Sequence, residues 1–364
     1  MSITASGTGL IGRKEELKQV LECLRKGQNV AIIAPRRFGK SSLITQALKQ
    51  LKTENHPTAC IDLFTTPSAD LLATVLTKEV LKNLKLDKAF IQFRTGDSSL
   101  ANHPELLSIL LDFPSIAGFS DPSREEWDLL SESLDFPEAF ANKYQKRFIC
   151  AYEAMGNTKH MDQGAKIAAL LKAKLGTHSQ TSYIFSGSHL SAIQHITGTG
   201  RSAILKKENI IQLGYINNQV LIDSLNKKFS KLKLKLPRNY VSDLVKFTKG
   251  HPHYTQQTIR QIILSYVLEG KVPKQKELPN HLLRLEKDYL EKLWEGIARN
   301  KEYVQILLAL PSGNTNIYPR LKSKGVNVAR AQKNLEEMGV LLKNKQSGYS
   351  IADPLLELWI RTKF

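Results

Sequence analysis

The chain has 364 residues, 41% hydrophobic and 24% charged, which suits two or three globular domains in a soluble protein. No uncharged apolar run approaches the roughly 18 residues that cross a bilayer, and the opening "MSITASGTGL" lacks the basic-then-apolar layout of a signal peptide. A cytoplasmic protein is expected. The net charge of +18 is uneven: residues 1–200 hold 23 basic and 20 acidic side chains, residues 201–364 hold 29 and 14. That asymmetry points to a polyanionic partner for the second half, nucleic acid before membrane, or else to a solvated basic surface.

In chain order, "GRKEELKQVLECLRKGQ" (12–28) spaces Leu17, Val20, Leu21 and Leu24 as one face of an amphipathic helix. "NVAIIA" (29–34) is a short continuous apolar run, the pattern of a strand buried on both faces in a parallel sheet. "TACIDLF" (58–64), "RFICAY" (147–152), "TSYIFSG" (181–187) and "NIIQLG" (209–214) repeat it with helix-like stretches between, which is the alternation of an α/β domain. Turn formers collect in roughly 86–122, read as an insertion with some short helix. Beyond 215 the strand runs stop. "NNQVLIDSLNKKFSKLKLKL", "PRNYVSDLVKFTKG" and "HYTQQTIRQIILSYVLEG" read as successive helices of a lid-type domain, and "KVPKQKELPN" (271–280) as a linker. The remainder runs helix, helix, helix and an extended tail "LLKNKQSGYSIADPLL", the order of a winged helix. The expected domains are 1–214, 215–278 and 279–364. Cys23, Cys60 and Cys150 stand singly, without the spacing of a disulfide framework or zinc site.

The chemistry concentrates after the first strand. A phosphate-binding loop needs a glycine-rich turn whose backbone N–H groups wrap phosphates, a lysine for the β/γ charge and a hydroxyl for magnesium, at a helix N-terminus. Ala34-Pro35-Arg36-Arg37-Phe38-Gly39-Lys40-Ser41-Ser42 fits, with Ala34 in place of the first glycine. Alanine is tolerable there if its φ stays negative. A nucleotide site for ATP or ADP with Mg²⁺ is expected.

"IGRKEEL" followed by "APRRFGKSSLI" resembles the archaeal-type P-loop ATPases of the STAND group, relatives of AAA+ proteins, with their GRxxEL helix and RRxGK loop. "YIFSGSHLSAI" (183–193) is similar to their sensor strand, "TGRSAIL" (199–205) to the Gly-Arg that follows, "GHPHYTQQ" (250–257) to their lid element and "YSIADPLLELWI" (349–360) to the close of their winged helix. The resemblance implies an α/β P-loop NTPase with a parallel sheet, a helical lid and a C-terminal winged helix. It implies roles as well. Lys40 would contact the β/γ-phosphates and Ser41 would bind Mg²⁺. Gly12 and Arg13 would begin a helix over the adenine, and Ser186 or Ser188 would sense the γ-phosphate. Arg201 would be a sensor or finger, and His251 with Pro252 would approach the nucleotide from the lid.

The family's third strand ends in Asp-Glu, for the metal shell and the attacking water. Here "RFICAYEAMG" ends in Tyr152-Glu153, which leaves Glu153 at the catalytic position and Asp62 as the nearest substitute carboxylate for the metal. Two readings follow: a slow ATPase using Glu153, or a nucleotide-bound scaffold that does not turn over. In the winged helix "NIYPRLKSKG" would be the second helix and "NVARAQKNLEEMGVL" the third. Arg330, Lys333, Lys343 and Lys345 are the candidate contacts to duplex DNA, joined by Arg320, Lys322 and Lys324. That favours a third reading, a DNA-binding ATPase. A protein effector or a homo-oligomer is the expected partner of a switch, and no membrane is.

Overall fold

A computed structural model describes residues 11–113, 119, 124–199, 204–310, 321, 325, 327–344 and 348–364. The chain falls into two compact units that interleave in sequence. Glu15–Ile33 with Lys40–Gln212 make one; the described part of Met1–Lys14, Ala34–Gly39 and Leu213–Phe364 make the other.

The first unit runs α1 (Lys14–Arg25), β1 (Val30–Ile33), α2 (Lys40–Thr53), β2 (Thr58–Asp62), α3 (Ala69–Leu81), α4 (Asp87–Arg94), α5 (Pro104–Asp112), α6 (Glu126–Tyr144), β3 (Phe148–Glu153), α7 (Gly164–Leu175), β4 (Thr181–Gly187), α8 (Leu190–Thr197) and β5 (Ile210–Gln212). All five apolar runs become strands. They form one parallel sheet in the order β2-β3-β4-β1-β5. β1 and β4 are buried throughout their length, so alternation is invisible in their sequences and only the apolar run shows. Phe148, Cys150, Tyr152, Tyr183 and Phe185 share one core with Leu72 and Leu76 of α3, Leu130 and Leu134 of α6, and Ile167 and Leu171 of α7. Because successive strand residues point to opposite faces, Ile149, Ala151 and Glu153 lie on the other face. Within 86–122 the described residues hold the short helices α4 and α5.

The second unit runs α9 (Asn218–Lys231), α10 (Tyr240–Thr248), α11 (Pro252–Glu269), α12 (Leu278–Leu285), α13 (Lys287–Ala298), α14 (Lys301–Ala309), α15 (Val328–Glu337), β6 (Leu341–Asn344), β7 (Gly348–Ile351) and α16 (Pro354–Lys363). Three details depart from expectation. α9 stops at Lys231, because "KLKLKL" has the period of two of extended chain and Lys233 turns with φ +54. The expected linker contains a helical turn at Gln275–Glu277 and the first residues of α12, where buried Leu278 pulls the chain onto the core of α9–α11. The segment read as the wing is an antiparallel hairpin, Leu341 pairing Ile351, but the tail read as extended beyond it is α16, whose first N–H groups are capped by the Asp353 carboxylate at 2.9 and 3.1 Å. Of the expected second helix of the winged helix only Leu321 and Gly325 are described, and Arg320, Lys322 and Lys324 lie outside the described residues. No helix among the described residues is long and apolar enough to cross a membrane.

Candidate functional site

In the first unit, β1 leads to the loop and α2 begins at Lys40. The side chain of Ser41, on the first turn of α2, donates a hydrogen bond to the Glu153 carboxylate at the end of β3. The other Glu153 oxygen accepts from the Cys60 thiol at 3.6 Å. Burial and the neighbouring Glu153 push that thiol up to about 12, so it stays protonated and donating. β2 and β3 pair Asp62 with Glu153, which puts the Asp62 carboxylate on the same face. Asp62 is exposed and accepts the Phe64 N–H at 3.0 Å, closing the turn after β2. Ser186, two residues beyond Ile184 on β4, also lies on this face. It is fully buried, and among the described residues its hydroxyl has no hydrogen-bond partner. Ser188 is half-buried just past the strand, and Ser42 is exposed on α2.

Tyr152 is elsewhere. It is 0% exposed in the core on the opposite face, its ring 6.1 Å from that of Tyr183. Burial raises its hydroxyl pKa well above the ordinary value, so it stays neutral. The carboxylate facing the loop's serine is therefore Glu153, and the expectation that Tyr152 occupies the metal-side position is corrected by strand alternation. The next residue, Ala154, has left-handed φ +55 and no carboxylate.

The loop residues 34–39 group with the second unit. Ala34 and Pro35 are buried and Arg36 is exposed. Ala34 is not among the residues with positive φ, which is why the missing first glycine is tolerated; Gly39, at φ +89, is the position that needs glycine. Phe38 is buried against the rings of Tyr215 (5.3 Å) and His251 (4.7 Å, edge-on). The Arg37 guanidinium donates to Glu286 at 2.6 Å and lies 3.4 Å from the centre of the Tyr289 ring. Glu286 accepts from His253 at 2.7 Å on its other oxygen.

Gly12 lies in the turn before α1, and Arg13, 5% exposed, donates to the Gly214 carbonyl. Gly250 adopts φ +71 with its backbone so near the Ile216 carbonyl that a Cβ would fall 2.3 Å from it, and Ile216 N–H bonds Gly250 in return. Pro252 then opens α11 at the position where a missing N–H costs nothing. His251 is 1% exposed and, among the described residues, its Nδ1 has no partner. Burial, then His253 and Arg37, lower it to about 3, so it is neutral. A base with its folded pKa below the unfolded value binds fewer protons when folded. Stability is then undiminished above pH 6.5 and falls as the pH drops toward 3. Between pH 7 and 4.5, wild type should lose about 2–3 kcal/mol more than His251→Phe. Thermal melts across that range check it; parallel curves would refute a buried neutral His251.

Arg201 and Lys345 lie outside the described residues. Lys333 and Lys343 are exposed, while Arg330 is bound to Glu302 at 3.1 Å. Among the described residues no three His, Cys, Asp or Glu side chains form a metal cage. A phosphate-loop Mg²⁺ does not require one, since it is held by a hydroxyl, one or two carboxylates, waters and the nucleotide. The oxygens of Ser41 and Glu153 fit that donor set.

Sequence reasoning missed Glu286, Tyr289, Tyr215 and Cys60. Glu286 stands 249 residues from Arg37, and no local pattern announces the pairing.

Among solved structures, the chain is similar to a Walker-type ATPase of Pyrococcus abyssi, at 18% identity over 97% of this chain and 96% of that one, with a TM-score of 0.71. It is also similar to the ORC1 protein of Aeropyrum pernix in complex with DNA (13%, 97% and 93%, TM-score 0.50). A third is the ORC2 protein of Aeropyrum pernix in ADPNP–ADP complexes (9%, 97% and 95%, TM-score 0.54). No protein-family model and no curated protein matches the sequence. The chain shares the fold of these structures: a parallel sheet in the order β2-β3-β4-β1-β5, then a helical region and a C-terminal hairpin, the architecture of P-loop ATPases.

Proposed function

We propose that the chain is an ATP-binding, slowly hydrolysing switch of the STAND type, in which nucleotide state governs a winged-helix domain, with boundaries near 214 and 278. The observation that carries this is the hydrogen bond from Ser41 to Glu153, which joins the helix after the phosphate loop to the end of the third strand. Lys40 would meet the phosphate charge, and backbone N–H groups of 36–41 would wrap the β-phosphate. Ser41 and Glu153 would hold Mg²⁺, which supplies charge neutralisation on the phosphate oxygens. Ser186, a buried hydroxyl without a partner among the described residues, would accept or donate to the terminal phosphate. With Glu153 on the metal side, the next position, Ala154, holds no carboxylate to orient water. That favours slow turnover. Arg37 and Phe38 bind Glu286, Tyr289 and His251 of the second unit, which would carry the loop's state to the C-terminal helices.

A second reading, contact with duplex DNA, has its own observation. Residues 227–238 hold six cations and no acid, and among the described residues none of the six has an ion-pair partner. Leu225, Phe229, Leu234 and Leu236 pack inward, and Leu232 is the exposed apolar side chain among these cations. Phosphate release from ATP, with and without duplex DNA, for wild type, Lys40→Ala and Glu153→Gln, tests both readings. Slow release in wild type alone is expected. Release independent of Lys40 would sink the ATPase reading, and DNA affinity indifferent to salt would sink the second.

A further inference from the structure

We infer that Glu286 and Tyr289 are positioning residues for the phosphate loop, acting through the side chain of Arg37; the inference rests on the reading of 34–42 as a nucleotide site. Arg37 has φ +67, a conformation that a side chain with a Cβ rarely adopts, two residues before Gly39 at φ +89. Left-handed residues so placed turn successive N–H groups toward one point, which is the concavity that an anion needs. Glycine at 37 would adopt that backbone without strain, yet the chain carries arginine there. Such strain persists only where the surroundings over-determine it.

The surroundings do so on two sides. One guanidinium nitrogen donates to Glu286 at 2.6 Å, while the flat face of the same group covers the Tyr289 ring at 3.4 Å. A lysine could supply only the charge, because the planar fork and the stacking face belong to arginine alone. Glu286 is itself held. It is 7% exposed, its second oxygen accepts from His253, and its backbone is bonded to Leu282 before it and to Leu290 after it, each at 2.9 Å. Burial raises its carboxyl pKa, but the bonds from His253 and Arg37 outweigh that and leave it below the ordinary value. The next loop residue, Phe38, is buried as well, so two consecutive loop residues are pinned by the second unit.

The sign of the effect separates positioning from competition. If Glu286 shapes the loop, removing it weakens nucleotide; if it withholds Arg37 from phosphate, removing it tightens nucleotide. The experiment is a titration with a fluorescent ATP analogue and Mg²⁺, each variant held well below its own melting temperature. Arg37→Ala and Glu286→Ala should each weaken binding by about tenfold, and the double variant should bind no worse than Arg37→Ala alone. Arg37→Gly should bind better than Arg37→Ala, because glycine restores the backbone without the anchor. Tighter or unchanged binding in Glu286→Ala, additive losses, or no advantage of glycine over alanine would each overturn the inference. Lys40→Ala serves as the reference. If wild type fails to bind, or binds as Lys40→Ala does, the nucleotide reading falls and this inference with it; Lys40-dependent binding that ignores Arg37 and Glu286 sinks this inference alone.

Discussion

Replacing Lys40 by alanine should weaken ATP binding by about 10- to 100-fold, about 1.4–2.8 kcal/mol. Lys40 is the first residue of α2, a helix with no acidic residue in its first turn. Its ammonium would meet the phosphate charge at the helix N-terminus. Calorimetric scans with and without ATP check the loss: the ATP-induced rise in melting temperature should vanish in Lys40→Ala. A variant stabilised by ATP as much as wild type would place the nucleotide elsewhere.

Tyr152→Asp, the change that would write the family's Asp-Glu pair into this chain, should unfold the protein rather than activate it. Tyr152 is fully buried in the core shared by β3, β4 and the helices α3, α6 and α7, and a carboxylate there would be an unpaired buried charge. The expected cost is about 3–5 kcal/mol, a fall of about 10 °C or more in melting temperature, with no gain in phosphate release. Tyr152→Phe should lie within about 1 kcal/mol of wild type, since it keeps the packing. Glu153→Gln should fold normally and lose turnover. If Tyr152→Asp folded with wild-type stability and hydrolysed ATP faster, residue 152 would face the loop and the strand would be in a different register.

Much of the fold is written locally. The central strands β1, β3 and β4 are buried on both faces and so must be apolar runs, and with two shorter edge runs separated by helical spacing they left few alternatives to a parallel α/β sheet. The candidate loop stood out because Gly39, Lys40 and Ser41 each match a separate demand that a phosphate would make at one spacing. What stayed hidden depends on which face of a strand a residue points to, or on distant partners. "AYEAMG" looks like a strand end lacking one acid, because a motif aligned by its last two letters cannot tell Tyr152 in the core from Glu153 at the serine. The hairpin and α16 were read as one tail because "LLKNKQSGYSIADPLL" carries few apolar residues before its end, and only the Asp353 cap marks the restart of helix. Glu286 was invisible because its role arises from one contact with Arg37, made after the whole chain has folded between them.

The most direct test of the Ser41–Glu153 site is the dependence of ATP affinity on magnesium, titrated with Mg²⁺ and with EDTA, for wild type and Glu153→Gln. If Ser41 and Glu153 hold the metal beside the loop, wild type should bind ATP at least about tenfold more tightly with Mg²⁺, and Glu153→Gln should lose most of that difference. An equal response to Mg²⁺ in both proteins would contradict the assignment of Glu153 to the loop's metal.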